Sequence, residues 1–206
     1  MSTTKKFKMF STLFILNLFV YFLLQSIMIS SEYNFLLNFE KEIPLIPPFI
    51  WVYHTLIPII ALTSIFIIKK LKLFYKCFFA YLIATLILSI FYVIFPSHYP
   101  RPVIDVHSIS TFILDLTYYI DGANSTFPSS HVTFSFVMLL YAMRCDLLNN
   151  TYGKFMYCLW FMLICMSTIF LKQHYILDVV AGIFAGYLCV KITDKFYPYF
   201  EKCVDE

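Results

Sequence analysis

Charge is what this sequence has least of. Charged residues occupy 13% of its 206 positions, against about 25% in an ordinary globular domain. So little charge excludes a disordered polyelectrolyte and a nucleic-acid-binding chain. Glycine is nearly absent too, with four residues, which removes any collagen-like repeat. No internal repeat or low-complexity tract breaks the sequence. The cysteines, Cys77, Cys145, Cys158, Cys165, Cys189 and Cys203, lie in apolar runs or in segments read below as cytoplasmic. That placement suggests packing thiols and no disulfide framework. No Cys or His pair has the local spacing of a metal site.

What is present is apolar and aromatic. Hydrophobic residues reach 61% and aromatics 20%, with 24 Phe and 16 Tyr, more than a soluble core of this size could hide. A bilayer crossing needs roughly 20 consecutive apolar residues, with about 17 as the lower bound. Six runs meet that length: 9–29, 50–68, 77–95, 127–143, 155–171 and 174–192. The expected fold is therefore all-α, a polytopic membrane protein forming one domain over 1–206 with six transmembrane helices. The run at 127–143 is short and could extend past Arg144 if that side chain snorkels. Pro58 is expected to kink the second helix. Gly182 and Gly186 form a G-x-x-x-G, the signature of close helix packing.

Lys5, Lys6 and Lys8 precede the first run. Its length exceeds a signal-peptide core and no A-x-A-like site follows, so it reads as a retained anchor. With the N-terminus inside, all of the 15 Lys and Arg except Lys41, Arg101 and Lys172 face the cytoplasm. The positive-inside rule then puts both termini in the cytoplasm. The longest external segment is 97–126, in which residues 107–119 suit an interfacial helix with Asp105 and Asp115 toward water.

Three polar stretches interrupt the apolar background: Tyr99-Pro100-Arg101-Pro102, Phe127-Pro128-Ser129-Ser130-His131, and Lys172-Gln173-His174-Tyr175-Ile176-Leu177-Asp178. Six alternating crossings bring all three to the external face. His174 and Asp178 are i and i+4, one above the other on a helix. A carboxylate there can accept the Nδ1–H and leave Nε2 as a nucleophile. His131 can protonate a departing alkoxide. Arg101, Lys172, Ser129 and Ser130 are donors suited to phosphoryl oxygens, and a helix N-terminus favours an anion. The serines can equally cap the helix. The chemistry expected is phosphoryl transfer through a phosphohistidine. His54, His98 and His107 read as packing or loop residues.

The same stretches resemble those of the type 2 phosphatidic acid phosphatase (PAP2) superfamily. Its pattern is Lys-x6-Arg-Pro, Pro-Ser-Gly-His and Ser-Arg-x5-His-x3-Asp. Here the first matches at Arg101-Pro102 with Ile94 at the lysine position. The second matches at Pro128-Ser129-Ser130-His131, and the third at Ser167, His174 and Asp178 with Thr168 at the arginine position. The resemblance implies that His174 is the nucleophile, Asp178 its partner, His131 the general acid and Arg101 a phosphate ligand; Lys172, two residues before His174, is the expected replacement for the missing cations. A basic residue before His-Tyr-x-x-Asp, and Asn124 before Phe-Pro-Ser, resemble the branch of inositol-phosphorylceramide and sphingomyelin synthases. The implied activity is a lipid-phosphate phosphatase acting on a phosphomonoester or diphosphate. A lipid phosphotransferase and a non-catalytic transporter on the same scaffold are the alternatives. Neither cofactor nor metal is expected, since Arg101 and Lys172 suit an anion. The expected partner is a lipid phosphate within the bilayer, and the expected setting is a bacterial inner membrane with the site on its extracytoplasmic face.

Overall fold

A computed structural model describes residues 1–27, 33–148 and 150–204, with backbone alone from residue 200 onward. It is all-helical. In chain order the helices are α1 (Thr3–Ile27), α2 (Ile50–Tyr53), α3 (Leu56–Leu62), α4 (Leu71–Ile94), α5 (Ile109–Asp121), α6 (Ser130–Ala142), α7 (Thr151–Phe170) and α8 (Ile176–Val204). In lipid every backbone N–H and C=O must find an internal partner, which makes helices the default for such apolar runs. Five segments are long and apolar enough to cross a membrane: Thr3–Ile27, Pro47–Ile67, Leu71–Ile94, Thr151–Phe170 and Ile176–Tyr199. Their outward side chains are apolar, among them Ile15, Phe19, Leu86, Val180 and Phe184. Residues 28 and 29, the end of the first expected span, lie outside the described residues, as does the Cys203 side chain.

The fourth expected span differs from expectation. The helix covers only Ser130–Ala142, 13 residues, or about 20 Å at 1.5 Å per residue. The chain does not continue past Arg144 but turns there, because Arg144 Nη1 pairs with Asp194 on α8 at 2.9 Å. At the other end Ser129 caps the helix and accepts from the Val132 amide. α6 tolerates its shortness because α4, α7 and α8 surround it: Val132, Val137, Met138 and Tyr141 are fully buried.

Gly182 and Gly186 explain how α8 comes so close to α6. A Cβ on Gly182 would lie 2.9 Å from the Ser129 carbonyl oxygen, and one on Gly186 would lie 3.0 Å from that of Thr133. Thr133 Oγ1 also reaches the Gly182 carbonyl at 3.2 Å. The glycine pair thus seats the start of α6 against the start of α8. The close packing expected from the G-x-x-x-G is present.

The second crossing is broken in two. Pro58 lacks an N–H and its ring crowds the carbonyl four residues back, which belongs to His54. The helix accordingly stops at Tyr53 and resumes at Leu56, followed by a π-helical turn at Thr63–Ile67. The break leaves Tyr53 buried and His54 exposed, with both lining the central cavity.

Contacts fix which ends lie together. Lys6 donates to the Ile68 carbonyl, and Lys76 and Arg144 both pair with Asp194. At the opposite end Tyr21 and Tyr53 meet Asp121, Tyr92 meets Pro128, and Tyr175 meets His98. Both termini therefore lie at the end away from the three polar stretches. α5 lies across that polar end as a capped amphipathic helix. Ser108 caps it, Leu114 is buried, and Phe112, Leu116 and Tyr119 are exposed.

Candidate active site

A cavity of about 350 Å³ opens among α1, the broken second crossing, α4 and α6. Its long part is apolar, walled by Leu13, Leu56, Ile60, Tyr81 and Leu88. From Phe10 to Leu24 it follows α1, a rise of about 20 Å, which exceeds one leaflet's hydrocarbon depth of about 15 Å. The polar end holds His54, Arg101, Asp121, Ser125, Ser130, His131, Gln173 and His174.

His174 is held from two sides. Its Nδ1 lies 3.0 Å from the Thr126 carbonyl oxygen and 3.3 Å from Asp178 Oδ2. A carbonyl only accepts, so Nδ1 carries the proton and Nε2 keeps its lone pair. The loop supplying that carbonyl is itself tied down by Ser97, whose Oγ accepts from the amides of Thr126 and Phe127. Asp178 is fully buried and also accepts from the Tyr175 amide at 3.0 Å. One expectation needs correction: His174 is not on the helix with Asp178 but precedes it, since α8 begins at Ile176. Asp178 in the first turn reaches back to the Tyr175 amide, and Glu40 Oε1 takes the Ile176 amide at 2.6 Å. Those acceptors start the helix after the histidine.

His131 opens α6 from the Ser129 cap. Its ring stacks on Tyr53 with centroids 3.9 Å apart and lies 6.3 Å from the His174 ring. Arg101 is clamped: Nη1 donates to the Tyr118 carbonyl, Nη2 donates to Gln173, and the guanidinium lies 4.7 Å over the Tyr118 ring. Burial pushes the Tyr118 phenol up, against the opposing pull of Arg101, so it stays a neutral donor to the Leu171 carbonyl.

Arg101, Ser130, His131 and His174 therefore share one cavity, with Asp178 behind His174. Two other expected phosphate donors point elsewhere. Lys172, with φ of 51°, turns away and donates to the Glu40 carbonyl at 3.2 Å. Burial lowers its ammonium pKa and Glu40 opposes that shift. Ser129 is a fully buried cap and does not line the cavity. The two family cation positions offer no replacement. Ile94 is exposed on α4, and buried Thr168 donates to the Cys165 carbonyl.

The structure adds residues that the motifs do not contain. Gln173, rather than Lys172, faces the cavity, because the left-handed Lys172 reverses the chain. Ser125, also at positive φ, and Tyr53 and Asp121 line it too. The one sequence signal for Asp121 was an acid beside Gly122, just ahead of the Pro-Ser-Ser-His stretch. Arg101 Nε, Ser125 Oγ, His131 Nδ1 and Gln173 Nε2 are buried without a hydrogen-bond partner in the protein. Buried polar groups are rarely left so. Four of them on residues of one cavity mark a place built for a polar guest. His54 both lines the cavity and packs, its Nε2–H donating to Thr117 Oγ1 at 3.1 Å; His98 and His107 do not line the cavity. Among the described residues, no group of three or more His, Cys, Asp or Glu is placed to hold a metal ion.

No curated protein and no solved structure matches the chain. Residues 23–192, which include Arg101, Ser130, His131, His174 and Asp178, match the family described as the PAP2 superfamily. The chain is thus an integral membrane protein of the PAP2 superfamily, a family of phosphatase-type lipid-phosphate enzymes.

Proposed function

We propose that the chain is a lipid-phosphate phosphatase that works through a phosphohistidine and draws every reacting group from its own side chains. In the first step His174 Nε2 attacks phosphorus and forms the P–N bond. The P–O bond to the lipid breaks, and His131 gives its proton to the departing oxygen. In the second step water attacks phosphorus and His131 takes back a proton. The P–N bond then breaks, and phosphate leaves with the lone pair restored to His174. Arg101, Ser130 and Gln173 supply donors to the phosphoryl oxygens, and the start of α6 adds its dipole. The lipid chain occupies the apolar length of the cavity. By the distribution of Lys and Arg, the site opens on the extracytoplasmic side.

The observation supporting this reading best is the tautomer of His174. The Thr126 carbonyl and Asp178 both take Nδ1–H, which leaves Nε2 nucleophilic within one phosphoryl group's reach of His131. The test is phosphate release by the purified chain in detergent with EDTA present, on phosphatidic acid, phosphatidylglycerol phosphate and undecaprenyl diphosphate. Release that persists in EDTA and disappears in His174→Ala is expected. Release that depends on added metal, or that survives His174→Ala, would sink the proposal.

A second reading has its own observation. Arg101 is the only Lys or Arg among the described residues lining the cavity, which is little positive charge for a phosphomonoester or diphosphate. A headgroup transferase, passing the phosphohistidine's group to an alcohol, would show no phosphate release but would exchange headgroups once an alcohol is added. If neither reaction appears, a non-catalytic lipid carrier is what is left.

A further inference from the structure

The two histidines of the site are held by different means. His174 is fixed through its Nδ1, which donates to the Thr126 carbonyl and faces Asp178. His131 has no such hold, because its Nδ1 is buried without a hydrogen-bond partner in the protein. No hydrogen bond at that atom sets the rotation of the ring. An aromatic face takes that part. The Tyr53 ring lies against the imidazole with centroids 3.9 Å apart and planes 22° from parallel. Tyr53 is itself restrained: it is 3% exposed and packs in one cluster with Ile50, Leu114 and Leu171. Its hydroxyl donates to Asp121 Oδ2 at 3.2 Å, and Tyr21 donates to Oδ1 of the same carboxylate at 2.6 Å. The phenol thus directs its proton to Asp121 and offers His131 only the face of its ring.

An aromatic face carries partial negative charge, and a cation seated over it within about 6 Å is attracted. Neutral imidazole gains the stacking contact alone, whereas imidazolium gains this attraction as well. Away from bulk water the attraction corresponds to about tenfold or more. The first step of the phosphohistidine reading consumes that imidazolium, since His131 gives its proton to the lipid oxygen as the P–O bond breaks. We propose that Tyr53 is the positioning residue of the general acid, its ring face aiming His131 at the departing oxygen and holding it in the charged form. The inference rests on the reading above and adds no bond-making step to it. The broken second crossing supplies the platform, because its first half ends at Tyr53. A residue that acts only through a proton donor matters only where a proton is needed.

The test compares two phosphomonoesters on the full chain in detergent with EDTA present. Phosphatidic acid releases diacylglycerol, whose oxygen needs a proton to depart; an alkylated p-nitrophenyl phosphate releases a phenolate that does not. Tyr53→Leu is expected to lower turnover of phosphatidic acid about tenfold and to leave the phenyl phosphate within about threefold of wild type. Tyr53→Phe keeps the ring and loses only the bond to Asp121, so it should hold phosphatidic acid turnover within about threefold. Pentafluorophenylalanine at position 53 keeps the shape of that ring but reverses the charge of its face. It should repeat the Tyr53→Leu loss, on phosphatidic acid alone. Equal or greater loss on the phenyl phosphate would make Tyr53 a packing residue and overturn the inference. So would undiminished turnover of phosphatidic acid by the leucine or fluorinated variant, or a Tyr53→Phe loss as deep as that of Tyr53→Leu. If Tyr53→Leu does not fold, the fluorinated ring decides by itself. Acid quenching of the wild-type chain with phosphorus-labelled phenyl phosphate separates the two readings. Where labelled phosphoprotein is trapped, these outcomes bear on Tyr53 alone; its absence would remove the phosphohistidine reading and the inference with it.

Discussion

The two ends of this bundle handle charge in opposite ways. At the end bearing the termini, several charges are engaged by protein partners. Lys76 and Arg144 share Asp194 at 2.8 and 2.9 Å, Lys70 pairs with Asp146, and Lys6 finds the Ile68 carbonyl. At the other end the polar groups surround a cavity, and five buried atoms, Asp178 Oδ1 among them, have no partner in the protein. The ion-paired side chains are partly or largely exposed and can spend their spare donors on water, whereas the orphaned atoms at the cavity are buried. The same residue type shows the contrast. Arg144 is joined to a carboxylate at 2.9 Å, whereas Arg101 stands 3.7 Å from the Asp121 carboxylate and is clamped through Nη1 and Nη2 with its buried Nε left open.

That contrast can be broken at several points. His174→Ala is expected to have the largest effect, a loss of about 10⁴-fold or more in turnover, with no acid-labile phosphoprotein after quenching with labelled lipid. His131→Ala should lower turnover by about 10²–10⁴-fold. A lipid phosphate with a p-nitrophenolate leaving group should recover most of that loss, because such a group departs without a proton. Recovery would identify His131 as the acid; equal loss on both substrates would reassign it. Arg101→Ala removes charge-assisted contacts of about 1.5–3 kcal/mol each. It should lower kcat/KM about 10–100-fold, with Arg101→Lys recovering only part because a point charge replaces a fork.

Two smaller effects separate packing from chemistry. Gly182→Val places carbon where the Ser129 carbonyl stands 2.9 Å away. It should destabilise the bundle by about 1–3 kcal/mol, read as a lower melting temperature in detergent, and should displace His131 along with the start of α6. Asp194→Asn, at the opposite end, should cost about 1 kcal/mol or less, with turnover within twofold of wild type. A large activity loss there would mean that the two ends are coupled.

Much of the architecture was legible beforehand. The long apolar runs appear as helices, since backbone in lipid has no alternative partner, but several helices outrun them: α1 and α4 begin six residues earlier and α8 ends twelve residues later than hydropathy puts them. The run at 127–143 was misjudged in length. Hydropathy cannot distinguish a helix facing lipid from one enclosed by protein, and α6 is enclosed. The convergence of Arg101, Ser130, His131 and His174 followed from counting crossings. The direction of individual side chains did not follow. Lys172 and Gln173 are adjacent, and the left-handed backbone at Lys172 decides which one meets the cavity. Tyr53 was invisible because it lies in an apolar run, and only the break that Pro58 forces at His54 turns it onto His131.

By itself the sequence determined the solvent, the all-helical class and which stretches share an end, because these depend on hydropathy and on parity along the chain. Tertiary structure alone decided the Thr126 carbonyl that joins Asp178 at His174 Nδ1, the orphaned donors around Arg101, and the place of Asp121 beside it. Those depend on which carbonyl or carboxylate lies within about 3–4 Å. Such distances are set by packing between segments up to a hundred residues apart, as Tyr21 and Asp121 are, and no local pattern in the sequence encodes them.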